Sequence, residues 1–337
     1  LAETAGFCYG VKRAVELAQK TAEETHGCWM LGDLIHNAHV VNDLAARGVR
    51  KAENPEALGV GDIVVIRSHG ELKSVLDRLE ARGVRCVNAT CPNVLHIQEL
   101  VSQAEQEGRQ AVIIGERHHP EVMGLASWCT HPLVFQTPQE VEDWLQSGAF
   151  DPETPVTVVA QTTCIRELFE SSCKIIKKQC TNAKIFDTIC NATQVRQTEA
   201  SQIAAESDFM VVIGDRHSSN TGKLFDICKR QCENTVLIET AAELDLNKVS
   251  VAESIGVTAG ASTPARIIKE VLDTMSEVKS GETNLEPSFE EMLEESLKNF
   301  NTNERVMGTV LSIAPNEVQV DVGRKQTGFI PASELSN

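Results

Sequence analysis

Three cysteines recur at one position of an internal repeat. From Cys8, Cys91 and Cys190, a step of 24 residues lands on Gly32, Gly115 and Gly214, each preceded by an apolar residue (Leu31, Ile114 or Ile213). A step of 28 lands on His36, His119 and Ser218. Cys232 also has a glycine at +24, Gly256, but Gly260 at +28 carries no side chain and breaks the pattern. Spacing repeated in this way marks repeated structural units. Three thiolates without a fourth is the informative number. A structural [4Fe–4S] cluster takes four cysteines, so three would leave one iron without a protein ligand and free to act as a Lewis acid. Zinc held by three sulfurs with an open position is the competing reading. For Cys28, Cys86, Cys129, Cys164, Cys173, Cys180, Cys228 and Cys232 ordinary buried thiols are expected.

Each copy carries a second polar segment after a later strand: Ser68-His69-Gly70, Gln161-Thr162-Thr163 and Ala261-Ser262-Thr263. From these loops, His36, His69, Ser218, Ser219, Asn220 and Ser262 make a set of neutral or cationic hydrogen-bond donors that suits a phosphate or diphosphate. His26, His39, His96, His118, His131 and His217 have no such recurrence and are expected to be structural. Glu121, in HHPEVMG, is the one carboxylate singled out in these loops. Beside an anionic centre and a diphosphate its pKa would rise, making it a candidate proton donor; a solvated loop glutamate is the alternative. Trp29, Trp128 and Trp144 are read as packing residues, and Lys174 to Lys178 as a solvated helix face.

The elements that must position these residues are legible around each cysteine. A short β-like segment leads in (VRCVN, AKIFD), a helix-like stretch follows, and a β-rich run (CWML, AVII, FMVVI) ends at the repeat glycine. Pro92 stands where a first helical residue belongs. Strand, helix, strand at this length predicts a βαβ unit and a small parallel sheet per copy. Cysteine and His/Ser loops would then share the carboxyl edge, where α/β proteins place ligands. A helix start also favours thiolate and an anionic centre. The expected fold is α/β: three pseudo-threefold-related units in a trefoil around a central site, spanning 1–90, 91–187 and 188–277. A linker and acidic helix are expected over 278–304, and alternating residues over 305–337, with a turn at Pro315-Asn316, predict a partial OB-type β segment. It stops short of the strands that a five-stranded barrel needs.

Composition bounds the function. The net charge of −17 argues against broad contact with nucleic-acid phosphates, and 4% aromatics with a single tyrosine, Tyr9, furnish little base stacking. No apolar run reaches the ~18 residues of a membrane span. The opening LAETAGFCYG has no basic n-region, so it is not read as an export signal; a few residues are expected ahead of it. Eleven cysteines, an odd number with no C-x-x-C, point to reduced thiols and a cytoplasmic protein. GxGxxG is absent.

AGFCYGVKRAV, LGDLIHNAHVV, IRSHGE, NATCPNV, HPEVMG, QTT, DTICNATQVRQ, HSSNTGKL and VTAGASTP occur in order over about residues 1–275, and with them the chain resembles the LytB/IspH family. The resemblance implies a [4Fe–4S] cluster on Cys8, Cys91 and Cys190, and diphosphate and substrate contacts at His36, His69, His119, Thr162, Ser218, Ser219, Asn220 and Ser262. It makes Glu121 the proton-relay residue. The implied reaction is reductive dehydroxylation of 4-hydroxy-3-methylbut-2-enyl diphosphate to isopentenyl and dimethylallyl diphosphates, with ferredoxin or flavodoxin as electron donor. The tail VMGTVLSIAPNEVQVDVGRKQTGFIPASELS resembles the start of an OB-type RNA-binding repeat from a ribosomal protein, so RNA is an expected partner only through a complete repeat. Two other classes stand beside the reductase: an RNA- or ribosome-associated adaptor on an α/β scaffold, and a three-thiolate zinc hydrolase.

Overall fold

The strand IVVI at Ile63–Ile66 is apolar at every position because helices cover both of its faces. Val64 and Ile66 pack with Val75 and Leu79 on one side, whereas Val65 packs with Ala14 and Ala18 on the other. The same division recurs in the second sheet. Val112 and Ile114 join one core and Ala111 and Ile113 another. Successive side chains of a strand point to opposite faces, so two cores sandwich each sheet.

The structure is a computed structural model that describes residues 1–148, 150–280, 309–313, 317–321 and 328–331. It divides into Leu1–Asp273 and Thr274–Asn337. The first part opens with α1 (Tyr9–Thr25), β1 (Cys28–Leu31), α2 (Ala38–Ala46), β2 (Val49–Ala52), β3 (Ile63–Ile66), α3 (Lys73–Ala81) and β4 (Arg85–Asn88). The pattern repeats as α4 (Pro92–Gln106), β5 (Gln110–Ile114), α5 (Pro120–Ala126), β6 (Leu133–Phe135), α6 (Pro138–Gln146), β7 (Val156–Ala160), α7 (Arg166–Gln179) and β8 (Ala183–Ile185). The third copy is α8 (Asn191–Ala205), β9 (Phe209–Ile213), α9 (Ser219–Gln231), β10 (Thr235–Ile238), α10 (Leu246–Val251), β11 (Ile255–Ala259) and α11 (Ala265–Ser280).

The strand orders are β2-β1-β3-β4, β6-β5-β7-β8 and β10-β9-β11, and all pairs within these three sheets are parallel. The third sheet takes its outer neighbour from the chain start, where the Ala2 amide donates to the Val257 carbonyl (2.7 Å). One detail differs from the expected βαβ unit. The strand before Cys91, β4, belongs to the first sheet, whereas the strand after it, β5, belongs to the second. The same holds across Cys190 for β8 and β9. Each cysteine-bearing turn therefore crosses from one sheet to the next, because its helix packs on the sheet that follows: α4 contacts β5 and β7, and α8 contacts β11.

Among the described residues of the tail, β12 (Thr309–Ile313), β13 (Glu317–Asp321) and β14 (Gly328–Pro331) form an antiparallel sheet. Val318 and Val320 are buried. The expected linker does not begin at 278, since α11 runs to Ser280. The acidic helix and the Pro315-Asn316 turn lie outside the described residues. No described helix is long and apolar enough to cross a membrane.

Candidate functional site

Cys8, Cys91 and Cys190 are the N-cap residues of α1, α4 and α8, and none uses its side chain as a cap. Each carbonyl accepts the first bond of its helix, from Lys12, Leu95 and Gln194. Each amide donates backward to the strand-end loop of the preceding unit: Cys8 to Ala261 O (3.1 Å), Cys91 to Ser68 O (2.8 Å) and Cys190 to Thr162 O (2.9 Å). These three bonds stitch the units into a ring and bring the sulfurs to one cavity of about 120 Å³. That is room for about four waters at ~30 Å³ each, more than one ion fills. Gly10 lets the α1 and α4 turns approach, since a Cβ there would stand 2.8 Å from Cys91 Sγ.

The repeat glycines are explained by similar crowding and by turn geometry. Gly32 has φ +66°, and a Cβ on Gly115 or Gly214 would meet Gln161 or Thr221 and Thr263 at 2.8 Å. Turning there, the chain carries His36, His119 and Ser218 to the cavity wall.

The remaining expected residues, His69, Glu121, Thr162, Ser219, Asn220 and Ser262, line the same cavity. His36 and His69 stack with ring centroids 4.9 Å apart, and His119 stands 5.6 and 6.2 Å from them. Burial lowers the pKa of all three, that of His119 to about 4; the Arg67 cation adds to each shift and neighbouring imidazoles add to those of His69 and His119, while Asp215 and Asp33 oppose it at His36 and Glu116 at His119. The imidazoles are therefore neutral at pH 7. His119 Nδ1 caps α5 by accepting from the Glu121 amide (3.1 Å), which places its proton on Nε2. His36 Nε2, His69 Nε2 and both amide atoms of Asn220 are buried without a partner. Buried polar atoms in folded proteins are normally satisfied, so these point to a ligand.

Glu121 is 3% exposed and is not the solvated loop glutamate that was the alternative. Thr162 donates to it twice, from its amide to Oε1 and from Oγ1 to Oε2, both at 2.7 Å. Burial raises the Glu121 pKa, and the two Thr162 bonds oppose the rise without cancelling it.

The structure also reveals an offset in the polar trios. The turns closed by Gly70 N to Arg67 O, Cys164 N to Gln161 O and Thr263 N to Gly260 O make His69, Thr163 and Ser262 equivalent. Thr163 thus lines the cavity although Thr162 was the residue singled out; counting from the strand ends would have found it. Asn93 and Arg196 were missed as well. Asn93 Nδ2 donates to Cys190 Sγ (3.3 Å), and its signal was its place two residues after a repeat cysteine. The six histidines expected to be structural are absent from the lining. Of the eight other cysteines, Cys86 is exposed and Cys129 half-buried, against expectation; the remaining six are buried. Cys86 lies on β4, at the edge of its sheet, where three of the four strand residues are exposed.

Burial pushes the Cys8 and Cys91 thiols up, and the charge of Cys190 pushes both further. Helix N–H groups oppose this, those of Val11 and Gly10 at Cys8 and those of Asn93 and Val94 at Cys91. Sulfurs so placed become thiolates when metal cations lie among them. Among the described residues no three His, Cys, Asp or Glu side chains close on a single ion. Three sulfurs around a cavity larger than an ion suit a multi-iron core better than one zinc.

Residues 1–276 match the family described as LytB protein. This chain belongs to the LytB family. The LytB-family relative from Caldanaerobacter subterraneus subsp. tengcongensis is 39% identical over 84% of this chain and 98% of its own length. It is named 4-hydroxy-3-methylbut-2-enyl diphosphate reductase. Relatives of the same name from Clostridium acetobutylicum and Clostridium tetani are 38% and 37% identical over the whole chain, which spans only 53% and 52% of their lengths. A solved structure of (E)-4-hydroxy-3-methyl-but-2-enyl diphosphate reductase, described as the terminal enzyme of the non-mevalonate pathway, aligns with a TM-score of 0.61 at 38% identity. It covers 82% of this LytB-family chain and 98% of the solved one. The Plasmodium falciparum reductase shares the fold (TM-score 0.76, 23% identity, 86% and 96% coverage). Residues 299–337 match the S1 RNA binding domain.

Proposed function

We propose that this chain carries a reductase that converts 4-hydroxy-3-methylbut-2-enyl diphosphate to isopentenyl and dimethylallyl diphosphates. Three thiols at helix N-caps, a ring of unpartnered imidazole and amide groups, and a buried carboxyl lining one cavity are the observation that carries it. The three α/β units, read as 1–90, 91–187 and 188–277, each contribute one sulfur. Cys8, Cys91 and Cys190 would hold a [4Fe–4S] cluster. When bound it would supply electrons and one iron corner with Lewis-acid character.

The protein's own groups do the rest. His36, His69 and His119 enter as neutral donors, and an anionic diphosphate beside them raises their affinity for protons. Ser218 caps α9, so that helix directs its N-terminal dipole, with Ser219 and Asn220, toward the phosphates. Ser262 hydroxyl, now donating to His36 O (3.0 Å), can turn to the same ligand. Thr162 Oγ1 links the cavity to Glu121, which holds a proton in place at higher pH than a solvated carboxyl does. In balance, the substrate alcohol takes up two electrons and two protons and releases water. An external one-electron donor of the ferredoxin or flavodoxin class supplies the electrons.

Anaerobic purification with iron, sulfide and visible-absorbance analysis tests the centre. Cys91→Ser should lose the brown absorbance and turnover; full activity in that variant would end the proposal. A second reading concerns the tail. The S1 match over residues 299–337 favours RNA binding by the tail.

A further inference from the structure

Arg196 lies in α8 six residues after Cys190, lines the same cavity and is only 3% exposed. An arginine in a protein stays charged, so a full cation is buried there. Its hydrogen bonds go to backbone carbonyls alone: Nε and Nη2 to Thr4 O, and Nη2 to Gly6 O at 2.7 Å. Glu199, the nearest acid along α8, is engaged elsewhere, accepting from the Glu3 and Thr4 amides and from the Thr4 hydroxyl. Arg196 forms no ion pair with any described carboxylate. A buried charge without a counter-charge is strongly unfavourable. The guanidinium lines the same cavity as Cys8, Cys91 and Cys190, so sulfurs ionised around a metal centre there would be its neighbouring anions, together with Glu199.

We propose that Arg196 is the resident counter-cation of the three-thiolate centre and the latch that holds the Cys8 segment against α8. The proposal rests on the cluster reading above. Two features of the geometry support it. The fork grips the carbonyls of residues 4 and 6, immediately before Cys8, so it places that sulfur relative to Cys190 on its own helix. The charge then sits in a low-dielectric wall, where net charge and nearby donors tune the potential of an iron–sulfur centre. One-electron reduction makes the core more negative, and a cation held beside it favours the reduced state. Arg196 thus acts as a positioning residue whose charge raises the reduction potential.

The test is a dithionite titration of the cluster-loaded full chain, followed by electron paramagnetic resonance, with iron and sulfide assayed alongside. Dithionite supplies the electron. Arg196→Gln should shift the one-electron equilibrium at least tenfold toward the oxidised form, ~59 mV lower. Arg196→Lys should stay near the wild-type potential. A Gln variant with a full cluster and an unchanged potential overturns the proposal, as does a Lys variant shifted as far as Gln. Loss of iron in Gln but not in Lys supports it; loss in both with unchanged circular dichroism overturns it. If the Gln variant fails to fold, the Lys variant decides by the same criterion. A wild-type chain that binds neither iron nor sulfide would instead overturn the reductase reading itself.

Discussion

At the scale of single residues, Gly10 and Glu121 make the sharpest tests. Alanine is favoured over glycine in a helix by about 1 kcal/mol, so Gly10→Ala would stabilise α1 if space allowed. A Cβ at 2.8 Å from Cys91 Sγ, with Cys91 fixed as the cap of α4, reverses the sign. Overpacking of this kind costs about 1–3 kcal/mol. Gly10→Ala should therefore lower the melting temperature and the iron content together, and a stabilised variant with full iron would refute the close approach. Glu121→Gln keeps the shape of the Thr162 contact while removing the proton. Turnover should fall ~10²–10⁴-fold with diphosphate binding within a few-fold of wild type. Weak binding with normal turnover would refute the proton role.

At the scale of elements, the histidines on three strand-end loops meet in one depressed cluster. Their folded pKa values lie below the unfolded value, so each is buried neutral and must take up a proton against burial as the pH falls. The associated stability is complete above about pH 6.5 and is lost as the pH drops through the window toward about 4, the His119 value. For His119 alone this amounts to on the order of 3 kcal/mol. Chemical denaturation of the chain without ligands at pH 7.5 and pH 4.5 should show that loss. Inorganic diphosphate should lessen it, since an anion beside the rings favours their protonation. Equal stabilities across the window would argue that the rings are solvated.

At the scale of the whole molecule, net charge and the tail carry opposite expectations for nucleic acid. The charge of −17 is that of the whole chain, tail included, and disfavours phosphate contact, whereas residues 299–337 match an RNA-binding domain. Filter binding of a structured RNA to this chain and to one ending after Ser280, which keeps α11 whole, should show that any retention requires the tail. Equal retention by both would move the RNA site into the α/β part and favour the adaptor reading. The pseudo-threefold plan also makes the chain start structural. Residues before Cys8 neighbour β11 and receive Arg196, the places that β4 and the turn before Cys91 fill by other means in the first crossing.

Spacing alone settled which residues share a role, because a repeat must place equivalent side chains equivalently. From it came the three cysteines, the loops at +28 and parallel sheets with a common working edge. Local sequence could not tell that β4 and β5 belong to different sheets, since a βαβ stretch reads the same whether its helix packs back or forward. The burial of Glu121 on Thr162 was beyond reach for a like reason: it joins residues 41 positions apart, and burial depends on what the rest of the chain brings alongside. Arg196 is the same case, an ordinary polar residue along its helix that only the folded ring turns into a buried cation beside two sulfurs. Chemistry was legible wherever residue type and recurrence sufficed; charge balance was decided by tertiary structure, because it depends on distance and on excluded water.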